Sequence, residues 1–310
     1  MEGYQSFGVI TDIQGMCMND GPGYRTVVFL KGCYLNCQWC HNPEGKRRFP
    51  EVIPYVSNCT DCGECLGMCP TGALAINGLK GEKRPAIDRG LCSTCLQCVR
   101  VCNYDALVVW GKIVTAEYVS AEVIKDKQFY TNSGGGLTIS GGEPMAQPEF
   151  SLALMKAAKE EGIGTALDTC GHAPWEDFER VLKYTDLVLY DIKIMDSDEH
   201  RLYSGVGNEL ILENARRIAS SSVKMRIRIP VIPGRNDSKK NWESTAKFIE
   251  GLGDAVEGVD LLPYHPFAGG KYRAFGMDYP YPEGEGLEDE LLVPVVDFFL
   301  EHVPEVTVGG

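Results

Sequence analysis

The spacing of cysteines constrains this chain more than any other feature. The sequence has 310 residues and 13 Cys. Two four-cysteine runs share the spacing C-x2-C-x2-C-x3-C, and shifting the first by 33 residues superimposes all four thiols on the second. The same shift superimposes Ala73-Leu74 on Ala106-Leu107. The chain therefore contains an internal repeat, made of Cys59, Cys62, Cys65 and Cys69 and then of Cys92, Cys95, Cys98 and Cys102.

This spacing is typical of bacterial ferredoxins, in which the fourth Cys of each run ligates the other iron–sulfur cluster. A repeat of this kind predicts two stacked cluster-binding halves. Zinc sites also use C-x2-C pairs, but they usually separate two pairs by a longer loop. We therefore favour two [4Fe-4S] clusters over two zinc sites. One cluster is predicted on Cys59, Cys62, Cys65 and Cys102, and the other on Cys92, Cys95, Cys98 and Cys69.

A third group, Cys33, Cys37 and Cys40, supplies only three thiolates. A four-iron cluster held by three cysteines keeps one iron without a protein ligand, and catalytic metal sites likewise keep a position open. Cys17 or Cys170 could supply a fourth ligand in principle. Both lie outside the compact motif, and we interpret them as small buried hydrophobic side chains.

The net charge and the N-terminal sequence argue against several classes of function. The chain has 30 Lys+Arg against 43 Asp+Glu, a formal net charge of −13. This acidic balance argues against nucleic-acid or anionic-membrane partners, which are bound by basic surfaces. The first residues do not resemble a signal peptide, and no apolar stretch is long enough to span a bilayer. Because cytosolic thiols are kept reduced, we expect a cytoplasmic protein working without oxygen.

Outside the repeat, short apolar runs alternate with amphipathic helix-length segments. This alternation predicts βαβ units and a parallel sheet. Six strands are too few for an eight-stranded barrel, so we expect an open or partial one. The predicted strands are 26–30, 137–140, 165–167, 187–190, 225–232 and 258–262, and the helices include 148–161, 175–183, 210–219 and 240–252.

Short motifs surround the three-cysteine group and follow the predicted strands. They are Gly-Pro-Gly-Tyr-Arg at 21–25, Trp-Cys-His-Asn-Pro at 39–43, Gly-Gly-Gly at 134–136, Ser-Gly-Gly-Glu-Pro at 140–144, Asp-Thr at 168–169, Asp-Ile-Lys at 191–193, Arg228 with Pro-Gly at 233–234, and Pro-Tyr-His at 263–265. Along essentially the whole chain, this pattern resembles the glycyl-radical-enzyme activating enzymes of the radical S-adenosylmethionine superfamily. The double-cluster segment is similar to that of the longer members.

The resemblance implies a fold of class α/β with two parts. Residues 1–54 and 112–310 would form a partial (β/α)6 TIM-like barrel. Residues 55–111 would form an inserted α+β domain of the bacterial ferredoxin type. Active sites of parallel barrels lie at the carboxyl ends of the strands, and the motifs sit at or near those ends. We therefore expect one active site.

The activity that the resemblance implies is the reductive cleavage of S-adenosylmethionine at the open cluster. The resulting 5′-deoxyadenosyl radical would abstract a Cα hydrogen from a glycine of a partner glycyl radical enzyme. Reduced flavodoxin or ferredoxin would donate electrons, giving three [4Fe-4S] clusters in all. A monovalent cation could lie between Asp168 and Asp191. The alternatives are a radical enzyme acting on a small molecule and a non-enzymatic iron–sulfur electron-transfer protein.

The resemblance also assigns roles to individual residues. Cys33, Cys37 and Cys40 would hold the catalytic cluster, with Asp191 and Lys193 as a charged pair at the methionine end of the cofactor. Gly141 and Gly142 would admit the cofactor close to the backbone because they lack a Cβ. Glu143 would accept hydrogen bonds from the ammonium group. The other predicted cofactor-binding residues are Trp39, His41, Asp168, Ile192, Arg228 and His265, of which Arg228 could instead form a structural salt bridge.

Two questions stay open at the level of sequence. The two clusters of the insert could relay electrons, which we favour, or only stabilise a module that docks the partner. The tail, with Tyr-Pro-Tyr at 279–281 and residues 306–310, is similar to activating enzymes of benzylsuccinate- or alkylsuccinate-type synthases. The remaining motifs are shared with activating enzymes of lyases, dehydratases and arylacetate decarboxylases.

Overall fold

A computed structural model describes residues 6–77, 84–281 and 286–309, so Gly310 of the tail motif lies outside the described residues. Within these ranges the chain forms thirteen strands and eleven α-helices. The strands are β1 Phe7–Cys17, β2 Arg25–Leu30, β3 Glu51–Pro54, β4 Leu74–Asn77, β5 Arg84–Ile87, β6 Leu107–Trp110, β7 Lys112–Thr115, β8 Gly136–Gly141, β9 Gly164–Thr169, β10 Leu187–Asp191, β11 Lys224–Val231, β12 Val256–Pro263 and β13 Val306–Val308. The helices are α1 Glu64–Gly67, α2 Gln97–Arg100, α3 Ala116–Ile124, α4 Lys127–Ser133, α5 Pro148–Glu160, α6 Trp175–Val181, α7 Ser197–Ser204, α8 Glu209–Ala219, α9 Lys239–Glu250, α10 Gly269–Phe275 and α11 Val293–Leu300.

The main sheet has nine strands in the order β13-β12-β11-β10-β9-β8-β2-β1-β7. Strand β2 runs parallel to β8, and strands β8 to β13 run parallel to one another. The six predicted strands correspond to β2 and β8 to β12, and the four predicted helices correspond to α5, α6, α8 and α9. The prediction of an α/β fold with a parallel sheet is thus confirmed.

Three strands of this sheet have no counterpart in the sequence prediction. β1 pairs antiparallel with both β2 and β7, and β13 extends the parallel edge beside β12. Only the first part of β1 is buried, and its second part is mostly exposed. β13 has three residues. Pairing with neighbouring strands, rather than a long apolar run, therefore holds these segments in the sheet.

A continuous apolar core fixes the positions of the strand ends. Val28 and Ile139 of the sheet are fully buried. Helix α5 buries Phe150, Leu154 and Met155 in the same core. Burying each such side chain contributes about 2 kcal/mol. No helix within the described part of the chain has the length and apolar character needed to cross a membrane.

The repeat lies in a separate excursion of the chain between β2 and β7. Its antiparallel pairs are β3 with β6 and β4 with β5, each forming a two-stranded sheet. The single-turn helices α1 and α2 carry the third cysteine of each run, Cys65 and Cys98. Strand β3 ends at Pro54, directly before residue 55, where the insert is predicted to begin. Because β3 pairs with β6, it connects the main sheet to the repeat.

Candidate active site

A cavity of about 510 Å³ opens at the carboxyl ends of the parallel strands. Its wall is built from the loop after β2 and from residues at or near the ends of β8 to β12. Because strands of a parallel sheet all end at one edge, residues distant in sequence meet there. The predicted site residues in the wall are Cys33, Cys37, Trp39, Cys40, His41, Gly141, Gly142, Asp168, Asp191, Lys193, Arg228 and His265.

The three-cysteine loop is held to its neighbours by backbone hydrogen bonds. Gly32 N donates to Gly45 O at 2.7 Å, and Cys33 N donates to Lys46 O at 3.0 Å. The ammonium group of Lys46 also donates to Cys37 O at 3.2 Å. All three thiols border the same cavity. The donor set therefore fits an iron–sulfur cluster with one iron open to the cavity.

Cys170, which we interpreted as an outlying thiol, also borders this cavity. It follows β9 directly and is buried. The neighbouring Cys33 thiol and burial raise the pKa of the Cys170 thiol, and Cys170 in turn lowers the pKa of Cys33. The position of Cys170 after the Asp168-Thr169 motif was the available sequence signal.

A charged pair stands at the end of β10. Lys193 Nζ lies 2.7 Å from Asp191 Oδ2, and both side chains are largely buried. Burial opposes the charged form of Lys193, but Asp191 outweighs it and the pKa of Lys193 is raised. The Lys193 ammonium therefore stays protonated at neutral pH, beside the carboxyl group of Asp191 in the cavity wall.

A second group of charged side chains, centred on Asp168 and Arg228, joins β8, β9, β11 and the turn after β1. Asp168 Oδ2 accepts a hydrogen bond from Ser140 Oγ at 2.6 Å and lies 3.4 Å from Arg228 Nη1. Arg228 also lies 3.7 Å from Asp20 Oδ1 and donates to Asn19 O at 3.3 Å. Burial raises the pKa of Asp168 to about 6, against the opposing effect of Arg228. Arg228 thus forms salt bridges, as the alternative interpretation held, and it also lines the cavity.

Aromatic side chains form the side of the cavity near Cys40. The rings of His41 and His265 stack with centroids 3.8 Å apart. Burial lowers the pKa of His41 to about 4, and His265 adds to this effect. Trp39 is buried and contacts Tyr203 and Tyr281 through its ring. These rings shield the cysteine loop from solvent.

Two residues predicted to bind the cofactor, Glu143 and Ile192, are not in the wall of this cavity. Glu143 is fully buried, and its carboxylate accepts hydrogen bonds from Thr169 Oγ1 at 2.7 Å, Cys170 N at 2.8 Å and Met145 N at 3.0 Å. It therefore clamps the loop after β8 to the end of β9. Ile192, directly after β10, is buried in the apolar core.

The two predicted glycines line the cavity, but the protein itself requires them to be glycine. A Cβ on Gly142 would lie 2.3 Å from Gly32 O and 2.5 Å from Gly45 O. Gly141 has φ +113°, and a Cβ there would lie 2.4 Å from Leu30 N. The absence of a Cβ thus allows the loop after β8 to pack against the three-cysteine loop.

Several wall residues escaped the sequence prediction. Asp20 immediately precedes the Gly-Pro-Gly motif, which was its only signal. Arg25 of the same motif is not in the wall; it is buried and donates to Thr138 Oγ1 at 2.6 Å and Leu137 O at 2.7 Å. This arginine holds the turn after β1 against β8. The remaining unpredicted polar wall residues include Asn19, Asn42, Ser140, Thr169 and Tyr264.

The repeat forms two further small cavities. Cys59, Cys62, Cys65 and Cys102 border one, and Cys69, Cys92, Cys95 and Cys98 border the other. These are the two crossed sets that the ferredoxin spacing predicts. Among the residues that the structure describes, no three His, Cys, Asp or Glu side chains converge on a single-ion site. Thiols arranged around a cavity fit a multi-iron cluster.

Comparison with known proteins identifies the family. The model of the radical SAM superfamily matches residues 95–249. The chain is 41% identical over 302 residues to the isethionate sulfite-lyase activating enzyme of Oleidesulfovibrio alaskensis, covering 96% of this chain and 95% of that protein. This chain belongs to the glycyl-radical-enzyme activating enzymes of the radical SAM superfamily. Models of a 4Fe-4S dicluster domain and a 4Fe-4S single cluster domain match residues 58–106 and 19–61.

Other relatives of this chain are named as activating enzymes of different partner enzymes. The (2S)-3-sulfopropanediol dehydratase activating enzyme of Klebsiella oxytoca is 41% identical, covering 88% of this chain and 86% of that protein. The benzylsuccinate synthase activating enzyme of Thauera aromatica is 36% identical, covering 97% and 92%. The chain is therefore an enzyme that uses iron–sulfur clusters and S-adenosylmethionine to generate a radical on a partner enzyme. Zinc scaffolds and simple electron carriers are excluded as its function.

Proposed function

We propose that Cys33, Cys37 and Cys40 hold the catalytic [4Fe-4S] cluster in the 510 Å³ cavity, and that S-adenosylmethionine binds against its open iron. The observation that carries this proposal is the convergence of three thiols and two charged groups on one cavity. When bound, the reduced cluster supplies the electron that cleaves the cofactor to methionine and a 5′-deoxyadenosyl radical. The radical then takes a Cα hydrogen from a glycine of the partner.

The charged side chains position the cofactor in this proposal. Lys193 faces the methionine carboxylate, and Asp191 faces the ammonium group, because each favours the opposite charge at hydrogen-bonding distance. His265, which stacks on His41, would contact the ribose or sulfonium region. Asp168 and Asp191 together would hold a monovalent cation near the carboxylate. The stacked rings keep water away from the reacting atoms, where it would quench a radical.

The inserted segment, residues 55–111, is proposed to be a ferredoxin-like domain with two [4Fe-4S] clusters. The two cysteine-lined cavities support this assignment. The clusters then relay electrons from a reduced flavodoxin or ferredoxin to the catalytic cluster. With the catalytic one, the chain would hold three clusters, or about 12 irons.

The partner is proposed as a glycyl radical enzyme, without a narrower substrate. Relatives named for lyase, dehydratase and synthase partners align with this chain at 36–41% identity. The similarity of the tail to synthase activating enzymes therefore does not favour a synthase partner over a lyase or dehydratase partner. The cavity and its charges serve the shared chemistry, while the partner carries the reaction on its own substrate.

The test uses the anaerobically reconstituted holoenzyme, a chemical reductant, S-adenosylmethionine and a glycyl radical enzyme encoded in the same genome. We expect 5′-deoxyadenosine to form and a glycyl doublet to appear in the electron paramagnetic resonance spectrum of the partner. A Cys37→Ala variant, lacking a thiol of the cysteine loop, is expected to give neither. Cofactor cleavage without any doublet would instead support a radical enzyme acting on a small molecule.

Replacing Asp168 with asparagine is expected to weaken S-adenosylmethionine binding about 10- to 100-fold, because Arg228 loses a charged partner 3.4 Å away and the proposed cation loses a ligand. The dissociation constant should also lose its dependence on Na⁺ or K⁺. Isothermal titration with each cation measures both effects. Asp198→Asn, at a side chain 96% exposed, is the control. An unchanged affinity with wild-type cation dependence in Asp168→Asn would contradict this role.

A further inference from the structure

The inserted segment is attached to the barrel at one end of the β3–β6 ladder. Lys31, at the end of β2, is fully buried. Its ammonium group donates to Glu44 O and to Glu51 Oε2, the latter at 3.2 Å. Trp110, opposite Glu51 in the ladder, packs edge-on against Phe275 with ring centroids 6.4 Å apart. The Glu51–Trp110 end of the insert is therefore fixed beside the segment that follows the three cysteines.

Helix α10 joins the same two regions. Lys271 Nζ lies 2.5 Å from Glu44 Oε1 and donates to His41 O at 3.2 Å. Its neighbour on the helix, Phe275, is the residue that contacts Trp110 of the insert. One short helix thus holds both the loop after Cys40 and the near end of the ladder. The two regions are rigidly connected by a buried ion pair, a backbone contact and an aromatic contact.

The two cavities of the repeat lie at different distances along this ladder. Val52, next to Glu51, borders the cavity of Cys69, Cys92, Cys95 and Cys98. Leu107 borders the other cavity, and its ladder partner is Pro54, three residues beyond Glu51. At the rise of a β-strand the first position is about 3 Å from Glu51, and the second about 10 Å. The cavity at Val52 is thus the nearer one to the barrel.

A second contact ties this nearer cavity to the ladder. Arg89 Nη1 donates to Val52 O at 2.6 Å. Arg89 stands three residues before Cys92, the first thiol of the same cavity. The Arg89 side chain is partly buried, and burial lowers the pKa of its guanidinium, against the charge of Glu51. A chain of contacts therefore runs from Arg89, three residues before Cys92, through Val52 and Glu51 to Lys31, two residues before Cys33.

We propose that the relay has a fixed order, in which the cluster of Cys69, Cys92, Cys95 and Cys98 is proximal to the catalytic cluster and the cluster of Cys59, Cys62, Cys65 and Cys102 is distal. This inference rests on the proposed function, since it requires three clusters. One electron leaves the reduced flavodoxin or ferredoxin, reduces the distal cluster, and passes to the proximal and then the catalytic cluster. Each donor is oxidised as it loses this electron, and each acceptor is reduced as it gains it.

The repeat supplies matched variants for the test, because Cys62 and Cys95 are equivalent positions and both are exposed. Cys62→Ser should remove the distal cluster, and Cys95→Ser the proximal one. Iron analysis of each anaerobic holoenzyme should find about 8 irons in place of about 12. The fully reduced proteins are then compared by pulsed electron paramagnetic resonance. The measured quantity is the relaxation rate of the catalytic cluster, identified by its spectral change on adding S-adenosylmethionine.

A nearby paramagnet accelerates this relaxation, and the effect falls steeply with distance. We expect the acceleration to persist in Cys62→Ser and to be lost in Cys95→Ser. The reverse pattern, an equal effect of both variants, or no acceleration in the wild type would overturn the proposed order. Wild-type protein with fewer than three clusters would contradict the proposed function instead. If Cys95→Ser loses both insert clusters, Cys95→Asp, which retains an anionic ligand, provides the same comparison with Cys62→Asp.

Discussion

Replacing Gly142 with alanine is expected to lower 5′-deoxyadenosine formation at least about 100-fold, since small displacements of a positioned group have effects of that size. The added Cβ would lie 2.3 Å from Gly32 O and 2.5 Å from Gly45 O. Both are backbone atoms, and Gly32 O also accepts a hydrogen bond from Glu143 N at 2.7 Å. The clash must therefore displace the three-cysteine loop. We expect iron content to fall from about 12 to about 8 per chain.

Gly270→Ala is the matched control for this variant. Gly270 is exposed on α10, and a Cβ there would meet no atom closer than 4.0 Å. Alanine favours a helix by about 1 kcal/mol over glycine, so this variant should fold and react as the wild type does. Iron analysis and cofactor cleavage are measured on both proteins. A Gly142→Ala enzyme with a full iron complement and wild-type cleavage would show that the loop tolerates the side chain.

Replacing Glu143 with glutamine is expected to reduce the free energy of unfolding by about 3 kcal/mol, because a buried acceptor becomes partly a donor. The carboxylate accepts from two backbone N–H groups and the Thr169 hydroxyl. In glutamine, the NH2 group must face at least one of these donors. Thermal unfolding of the anaerobic holoenzyme measures the effect, and titration with S-adenosylmethionine separates it from a binding role.

The control for this second variant is Glu160→Gln. Glu160 is 67% exposed and lies 3.8 Å from Lys156, a surface pair, so the change should cost less than about 1 kcal/mol. If Glu143 bound the ammonium group of the cofactor, as the sequence suggested, Glu143→Gln would weaken binding and leave unfolding unchanged. The structure predicts instead that Glu143→Gln lowers the free energy of unfolding and leaves the affinity for S-adenosylmethionine unchanged.

Local patterns explain how much of this protein could be predicted. The six central strands are apolar runs between helices, so periodicity alone located them. The cysteine sets follow from spacing, and the motifs follow strand ends because parallel strands place their carboxyl ends together. Strands β1, β7 and β13 were missed because pairing with neighbours, rather than their own composition, holds them in the sheet.

The sequence did not predict which side chains of the motifs face the cavity. Glu143 and Ile192 belong to motifs that surround the site, yet the former turns toward β9 and the latter into the core. Cys170 and Asp20 reach the cavity although no spacing rule marks them. Each of these outcomes depends on contacts between residues far apart in the chain, which no local pattern encodes.

The sequence by itself determined the three cysteine sets and the chemistry they serve, because ligand spacing is a local property of the chain. It could not rank the two insert clusters, since the 33-residue repeat makes their ligand runs equivalent. Only the tertiary structure distinguishes them. The contact of Lys31 with Glu51 fixes one end of the β3–β6 ladder to the barrel. This asymmetric attachment places the cavity beside Val52 at the end of the ladder that is fixed to Lys31.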